Sequence, residues 1–287
     1  MTDTDYIARL QRHLVHYKRN ALLVQESGVW GAPPRPYEHI LPVERRELNI
    51  VGPIREAFWR EQHRKAWRLH RYFHHLSSSQ ALAFNLFFCL YPEVPLRMVA
   101  TRRVLGLPAS GSCYLDFEVV LDPSEGTNID ALVVTADGTR TIIENKLTER
   151  AFGTAPADDS HLTKLTEIYR PRLAGRVAAG CLEPSVFFRG YQLYRNLAQV
   201  RRDSGDRVLL LLPRARTRLW RHATSWCKSP TLGSMGGCVE VVALEDVIAS
   251  LIVDADGEHL STAAVTEVSR KYIPTNAVCS RRGLVGS

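Results

Sequence analysis

The chain has 287 residues, 45% of them hydrophobic and 23% charged, which is enough to bury a sizeable core and argues against overall disorder. Its 37 Lys and Arg residues outnumber 30 Asp and Glu, and the net charge of +7 weakly favours an anionic partner such as nucleic acid. The six cysteines form no C-x-x-C pair, which indicates reduced thiols rather than disulfides or a zinc site. Because no signal-peptide pattern or membrane-length apolar run is present, we expect a cytoplasmic protein with no membrane partner.

The first 76 residues are predicted to be a helical region. Apolar residues at helical spacing predict a helix within residues 1–25, and the Gly- and Pro-containing stretch 28–42 predicts a loop after it. A long basic helix is then predicted from about residue 44 to residue 75, interrupted at Gly52-Pro53.

A region rich in strands follows a short helix. Serines 77–79 are expected to cap this helix, which Pro92 ends. Alternating patterns and turn residues then predict three adjacent antiparallel strands, at 113–121, 127–134 and 139–147. The Asp137-Gly138 step between the last two is a strong hairpin signal, because it supplies the positive φ angles that tight turns require.

The rest of the chain alternates helices and strands. Residues 150–188 are predicted to be an insertion or a lid. The following elements are predicted after it: an amphipathic helix at 188–202, a buried strand at 206–215, a strand at 236–244 and a helix at 245–252. Residues 253–287 are assigned to a C-terminal tail, and residues 77–252 to the main unit. The order of elements predicts an α/β fold with a central mixed β-sheet flanked by helices.

Glu144 and Lys146 lie two residues apart in the strand segment TIIENKL (141–147), so their side chains share one face of the strand. An exposed cross-pair is the ordinary explanation for such a pattern. However, the predicted hairpin also brings Asp130 towards Glu144. Two carboxylates on one face repel each other unless a cation offsets their charge, and a divalent metal is the usual solution for oxygen ligands.

This arrangement resembles the active site of the PD-(D/E)xK nuclease superfamily, which uses an acid on one strand and acid-x-lysine on the next. The matching residues are Asp130 in TNIDA (127–131) and Glu144, Asn145 and Lys146 in IIENK (142–146). The order of elements from about 78 to 213 is also similar to the core of that restriction-endonuclease-like fold. The segments SSQALAFNLF (78–87) and YQLYRN (191–196) are similar to segments of a bacterial branch of restriction-endonuclease-like proteins.

The resemblance implies an Mg²⁺-dependent endonuclease that hydrolyses phosphodiester bonds, with DNA as the expected substrate and Mn²⁺ as an alternative metal. It implies that Asp130, Glu144 and the backbone carbonyl of Asn145 bind the metal, while Lys146 orients or activates the attacking water. Cleavage of both strands of a duplex by one site per chain would require a homodimer. Asn196 stands where RecB-like exonucleases carry tyrosine, which argues against that type of exonuclease.

Several other polar residues are weaker candidates. Glu118, which shares a strand face with Asp116, is a candidate further metal ligand, although exposed acids on an alternating strand are the ordinary explanation. The remaining candidates are Gln192, Arg189 and Arg195 for nucleic-acid binding, and His70, His74 and His75 for a metal or phosphate. The basic strings 214–218 and 201–202 are assigned to solvated surface, although phosphate contact would use the same residues.

Two alternatives to a nuclease stay open on the sequence. One is a catalytically inactive nucleic-acid-binding protein that keeps the nuclease fold. The other is an enzyme of another class that uses a carboxylate-lysine site on an unrelated sheet. Metal dependence of phosphodiester cleavage would separate the three.

Overall fold

The computed structural model describes residues 2–255 and 259–274. Its strands are β1 (Gly28–Trp30), β2 (Arg35–Tyr37), β3 (Cys113–Val120), β4 (Asn128–Thr135), β5 (Arg140–Asn145), β6 (Arg207–Leu212) and β7 (Val239–Ala243). Its α-helices are α1 (Asp3–Asn20), α2 (Gly52–Lys65), α3 (Ser79–Phe87), α4 (Val99–Val104), α5 (Asp159–Lys164), α6 (Arg170–Leu173), α7 (Pro184–Phe187), α8 (Tyr191–Leu197), α9 (Thr217–Cys227), α10 (Leu244–Asp254) and α11 (His259–Tyr272).

Strands β3 to β7 form one five-stranded mixed sheet in the order of the chain. The pairs β3–β4 and β4–β5 are antiparallel, whereas β5–β6 and β6–β7 are parallel. Strand β6 lies between two neighbours, and its residues 208–212 are all buried, as expected for a continuous apolar strand covered on both faces. The predicted α/β class with a central mixed sheet is confirmed.

The three predicted antiparallel strands and their hairpin are confirmed. The turn between β4 and β5 contains three residues instead of two, because the N–H of Thr135 donates to the carbonyl oxygen of Thr139. Gly138 has a φ of 81°, which glycine adopts at low cost, so the Asp-Gly signal was located correctly.

The N-terminal region differs from its prediction in two places. Part of the expected loop 28–42 forms a small hairpin, in which β1 pairs with β2. The predicted helix to residue 75 is wrong, because α2 ends at Lys65 and Ala66 has a left-handed φ of 54°. The aromatic ring of Trp67 then stacks on that of Phe58 in the core, at 6.0 Å between centroids, and this burial outweighs continuation of the helix.

Two hydrophobic cores cover the two faces of the sheet. The first core runs from Tyr6 on α1 to Tyr272 on α11 and includes Phe58, Phe84 and Phe117. The second core includes Ile142 of β5 and alternate residues of β6, together with side chains from the segment 150–188. These side chains are Phe152, Leu165, Tyr169, Leu173, Val177, Cys181, Leu182 and Phe187. Both faces of the sheet are therefore closed by packed side chains.

The C-terminal part of the chain is tied to the N-terminal part by buried polar contacts. Nζ of Lys271 on α11 donates to Oδ1 of Asn49 at 2.6 Å, and Nδ2 of Asn85 donates to the Tyr272 hydroxyl at 2.8 Å. The pKa of Lys271 is held well below its usual range, chiefly by burial. Of the predicted tail 253–287, residues 256–258 and 275–287 lie outside the described residues.

Five of the six cysteines lie in the described part of the chain. Cys89, Cys113, Cys181, Cys227 and Cys238 are free, and Cys279 lies outside the described residues. Among the described helices none has the length and apolar content that a membrane span needs.

Candidate active site

Three carboxylates lie side by side across the antiparallel strands. The register pairs Phe117 of β3 with Ala131 of β4, so the next residue of β3, Glu118, lies across from Asp130. On the other side of β4, Ala131 pairs with Ile143 of β5. Continued by one residue, the same register places Asp130 across from Glu144. Side chains that oppose each other on adjacent strands share a face of the sheet and lie about 5 Å apart at Cβ. We call Glu118, Asp130 and Glu144 the carboxylate row.

Glu118 has an unusual backbone for a strand residue, with a φ of 50°. A non-glycine residue in this region is strained by about 1–3 kcal/mol, and such residues concentrate at functional sites. Its carboxylate accepts from Nδ2 of Asn128 at 3.1 Å. The pKa of Glu118 is raised to about 7, chiefly by burial and also by the charge of Glu144, against hydrogen bonds from Gln80 and Asn128 that lower it.

Asp130 is held by the backbone of the next strand. Its Oδ2 accepts from the N–H of Asn145 at 2.8 Å. Burial holds the pKa of Asp130 well above its usual range, and the neighbouring charge of Glu144 adds to this effect. The ionised carboxylate is therefore costly in the folded protein, which is common for groups placed for function rather than for stability.

Glu144 is buried and accepts from three side-chain donors. Its Oε1 accepts from Nζ of Lys146 at 2.7 Å and from Nε2 of Gln192 at 2.6 Å. Its Oε2 accepts from Nδ2 of Asn196 at 2.8 Å. Gln192 and Asn196 lie one turn apart on α8, so this helix fixes the orientation of the carboxylate.

Lys146 follows the last residue of β5 and continues its pairing, since its N–H donates to the carbonyl oxygen of Leu211 at 2.8 Å. Burial would lower the pKa of Lys146, but the charges of Glu144, Glu149 and Asp130 outweigh it and raise the pKa to about 12. Lys146 is therefore a cation at neutral pH. It can donate hydrogen bonds to a water or a phosphate oxygen, but it is not poised to accept a proton.

Asn145 supplies an unsatisfied polar atom beside the row. Its side chain is buried, and Nδ2 lies 3.4 Å from Oδ2 of Asp130. Its Oδ1 is buried without a hydrogen-bond partner. Buried polar atoms without partners are rare and point to a water or an ion that completes the site.

The chain just after β5 is fixed from two sides. Oε2 of Glu149 accepts from the N–H groups of Leu147 and Thr148, at 2.8 and 3.0 Å, and its Oε1 accepts from the Ser79 hydroxyl. The guanidinium of Arg216, which is fully buried, donates to the carbonyl oxygens of Leu147 and Glu149. The assignment of the string 214–218 to solvated surface is therefore wrong for Arg216.

A cleft of about 740 Å³ opens over the carboxylate row. Residues Glu118, Asp130, Glu144, Asn145, Lys146 and Gln192 all line it. The cleft is also lined by aromatic and histidine rings from the loop after α2 and from the β1–β2 hairpin. The three candidate catalytic residues and Gln192 are thus brought together in one solvent-accessible space.

Three other candidates lie apart from the cleft lining. Nε of Arg189 donates to the carbonyl oxygen of Ser185 at 2.6 Å, and the guanidinium of Arg195 lies 5.5 Å from the centre of the Tyr191 ring. Asp116 forms an ion pair with Lys65 at 3.1 Å, so it does not extend the carboxylate row.

The candidate histidines do not form a metal site. His70, His74 and His75 lie in the loop between α2 and α3 instead of on a helix, and His74 is buried. Across residues 2–255 and 259–274, no group of three or more His, Cys, Asp or Glu side chains has the spacing that holds a metal ion. The carboxylate row nevertheless offers oxygen donors of the type that Mg²⁺ prefers.

Sequence reasoning missed part of the site. Asn196 had been noted only as a departure from the exonuclease pattern, whereas it donates to Glu144. Ser79 had been assigned to helix capping, yet its hydroxyl contacts Leu147 and Glu149, while Ser78 is the actual cap. The spacing of one helical turn between Gln192 and Asn196 was the sequence signal that could have identified Asn196 as a site residue.

The mixed sheet, its flanking helices and the order of its strands define a restriction-endonuclease-like protein. The family model described as "restriction endonuclease associating with ARP" matches residues 11–273. The chain belongs to this family, and the predicted resemblance to restriction-endonuclease-like proteins is confirmed. No curated protein and no solved structure matched the chain.

Proposed function

We propose that this protein is a metal-dependent nuclease that hydrolyses phosphodiester bonds, with DNA as its substrate. The observation that carries the proposal is the carboxylate row with the buried, charged Lys146 at its end, open to one cleft. Membership of a restriction endonuclease family supports the same reaction class.

The proposed metal ligands are Asp130, Glu144 and the backbone carbonyl of Asn145, with Glu118 as a further ligand. The raised pKa of Asp130 supports this set, because a cation beside the row would favour the ionised carboxylate, which burial and the charge of Glu144 both disfavour. When bound, a divalent cation neutralises charge on the phosphate and makes a bound water more acidic.

The protein's own groups then have separate roles. Lys146 donates to the attacking water or to a phosphate oxygen and stabilises the negative charge that develops there. Glu144 holds the ammonium of Lys146 in position at 2.7 Å. Gln192 and Asn196 are positioning residues, since they reach the reaction centre through Glu144.

A second cleft supports a polyanionic substrate. It has a volume of about 490 Å³ and is lined by Arg140, Arg172, Arg176, Arg201 and Arg202. Arg172 and Arg201 have acidic partners in Asp122 and Asp206, so only part of this positive charge is neutralised locally. Phosphate contacts of this kind give affinity without sequence preference.

One observation favours an inactive nucleic-acid-binding protein as the second candidate. Both oxygens of Glu144 are already occupied by protein donors, so metal binding must compete with Lys146, Gln192 or Asn196. The family description also names an association with ARP, which makes ARP a candidate partner.

The test of the proposed function is incubation of the purified protein with circular and linear DNA. We expect cleavage with Mg²⁺ and none with EDTA, because the carboxylates alone do not neutralise the phosphate charge. Retardation of DNA without cleavage in Mg²⁺ or Mn²⁺ would instead support the inactive binding protein. Cleavage that EDTA leaves unchanged would reject the metal-dependent mechanism.

A second prediction concerns Glu118. Replacing Glu118 with Gln should raise the Mg²⁺ concentration needed for half-maximal cleavage by about 10-fold, while cleavage at saturating metal is kept. The reason is that the substitution removes one carboxylate from the row but leaves Asp130, Glu144 and the backbone carbonyl of Asn145. Titration of Mg²⁺ in the cleavage assay measures the shift.

Glu56→Gln is the matched control for this experiment, because the Glu56 side chain is 96% exposed and lies outside the cleft. It should leave the Mg²⁺ titration unchanged. If Glu118→Gln behaves like the Glu56 variant, Glu118 does not act on the metal.

A further inference from the structure

Part of the lining of the cleft is aromatic. The ring of Trp30 contacts those of Tyr37, Tyr72 and His75, with centroid distances of 5.8, 6.2 and 6.0 Å. Tyr72 and His75 stack on each other at 5.0 Å. We call Trp30, Tyr37, Tyr72 and His75 the aromatic wall.

This wall lies at the cleft surface rather than in a core. Trp30 is 43% exposed, and all four rings line the same space as Asp130, Glu144 and Lys146. The nearby rings of Phe58, Phe73 and Phe84 are buried in the first core, and none of the four wall residues belongs to that core. An exposed tryptophan beside catalytic groups therefore needs an explanation other than packing.

The backbone at His75 is fixed by contacts with distant segments of the chain. His75 forms a bridge with Ile40, and Nδ2 of Asn49 donates to the carbonyl oxygens of Phe73 and His75 at 2.5 and 2.7 Å. Nζ of Lys271 fixes Asn49 in turn. A flat ligand that stacks on this wall would lose little free energy to ordering of the protein.

The wall is also uncharged at neutral pH. Burial lowers the pKa of His75 to about 4, and the pKa values of His39 and His70 are lowered chiefly by burial as well. Nε2 of His75 is buried without a hydrogen-bond partner.

The Tyr72 ring is contacted by the stacked His75 ring and by the Arg71 guanidinium, 4.5 Å from its centre, so Trp30, which is 43% exposed, is the ring available for stacking. Lys146 and Arg150 supply positive charge to the cleft.

From this geometry we infer that the aromatic wall stacks an unpaired nucleobase while its phosphate lies at the carboxylate row. The substrate is then single-stranded nucleic acid, or a nucleotide displaced from a duplex, rather than a continuous double helix. Bases stack on aromatic side chains with little dependence on their identity, so the wall gives strand-type preference without sequence preference. This inference rests on the proposed nuclease function and names the substrate class of the same site.

The test measures binding with EDTA present, so that no metal-dependent cleavage occurs. The probes are a fluorescein-labelled thymidine oligonucleotide of about 16 nucleotides, a duplex of the same length and an abasic oligonucleotide with the same phosphates. The unmodified protein should bind the thymidine strand about 5- to 150-fold more tightly than the abasic strand, which has no base to stack. Equal affinity for the two strands would overturn the inference without requiring any variant.

Substitutions in the β1–β2 hairpin test whether Trp30 provides the stacking. Trp30→Ala should weaken binding of the thymidine strand by about 5- to 150-fold and leave the abasic strand unchanged, whereas Trp30→Phe should keep most of the affinity. Val29→Ala is the matched control, because Val29 is 58% exposed on the same strand and does not line the cleft. Loss of affinity for both strands in Trp30→Ala, or for neither, would also overturn the inference.

Failure of this inference and failure of the proposed function are distinguishable. If the protein cleaves duplex DNA in Mg²⁺ but binds thymidine and abasic strands equally, only the stacking role is rejected. If it cleaves nothing and yet prefers the thymidine strand in a Trp30-dependent manner, the wall is supported and the catalytic proposal is rejected.

Discussion

Asp130→Asn is expected to abolish cleavage without lowering the stability of the protein. The carboxylate is a proposed metal ligand, and groups that act as one metal-water unit lose function together, so we expect a fall of about 10³-fold or more. The pKa of Asp130 is raised in the folded state, which means that its ionised form destabilises the fold above the ordinary pKa of aspartate. Asparagine removes that charge and can still accept from the N–H of Asn145.

Two measurements check this prediction: the rate of DNA cleavage in Mg²⁺ and the thermal unfolding midpoint without metal. The midpoint should stay the same or rise. Asp159→Asn is the control, since Asp159 is an exposed carboxylate on α5 outside the cleft, and it should change neither quantity. Normal cleavage by Asp130→Asn would reject the assigned site. Glu144→Ala is a poorer test, because it leaves the donors of Lys146, Gln192 and Asn196 unpaired.

Arg216→Met is expected to lower the free energy of unfolding by about 3–5 kcal/mol. The Arg216 guanidinium is fully buried, donates to the carbonyl oxygens of Leu147 and Glu149 and pairs with Asp3 at 3.2 Å. Methionine can fill much of the space but satisfies none of these acceptors. Urea denaturation, with the slope of the transition compared between proteins, measures the loss.

Arg218→Met provides the control on the same helix. Arg218 is exposed, and only its backbone N–H contacts Asp3, so this substitution should change the free energy of unfolding by less than about 0.5 kcal/mol. Equal stability of the two variants would show that Arg216 does not tie α9 to the end of β5.

The hairpin that carries the candidate site was predictable because its information is local. Alternation of side chains and the Asp-Gly turn predicted that β4 and β5 form a hairpin and that Asp130 approaches Glu144. The exact register, with Asp130 across from Glu144, follows from the three-residue turn that the structure shows. The five consecutive apolar residues of β6 similarly predicted a strand buried on both faces.

Other parts depended on contacts between distant segments. The sequence around Arg216 has the pattern of a basic surface segment. Of its three arginines, Arg216 is the one turned inward, because it contacts Leu147 and Asp3. The end of α2 was misplaced because burial of Trp67 and Phe73 in the first core is a tertiary effect that helical spacing does not report. The pairing of Asn196 with Glu144 likewise depends on the packing of α8 against the sheet.

The continuous first core has a practical consequence for dissecting this protein. Side chains from α1, α2 and α11 share one packed interior with those of the sheet, and Lys271, Asn49 and Asn85 form a buried polar link between them. A fragment cut at residues 77 and 252, although it would contain the whole carboxylate row, would expose the apolar surfaces of α3 and α10 on which α11 packs. Helices α1, α2 and α11 are thus part of the folding unit, and gene truncations or domain fusions should leave them intact.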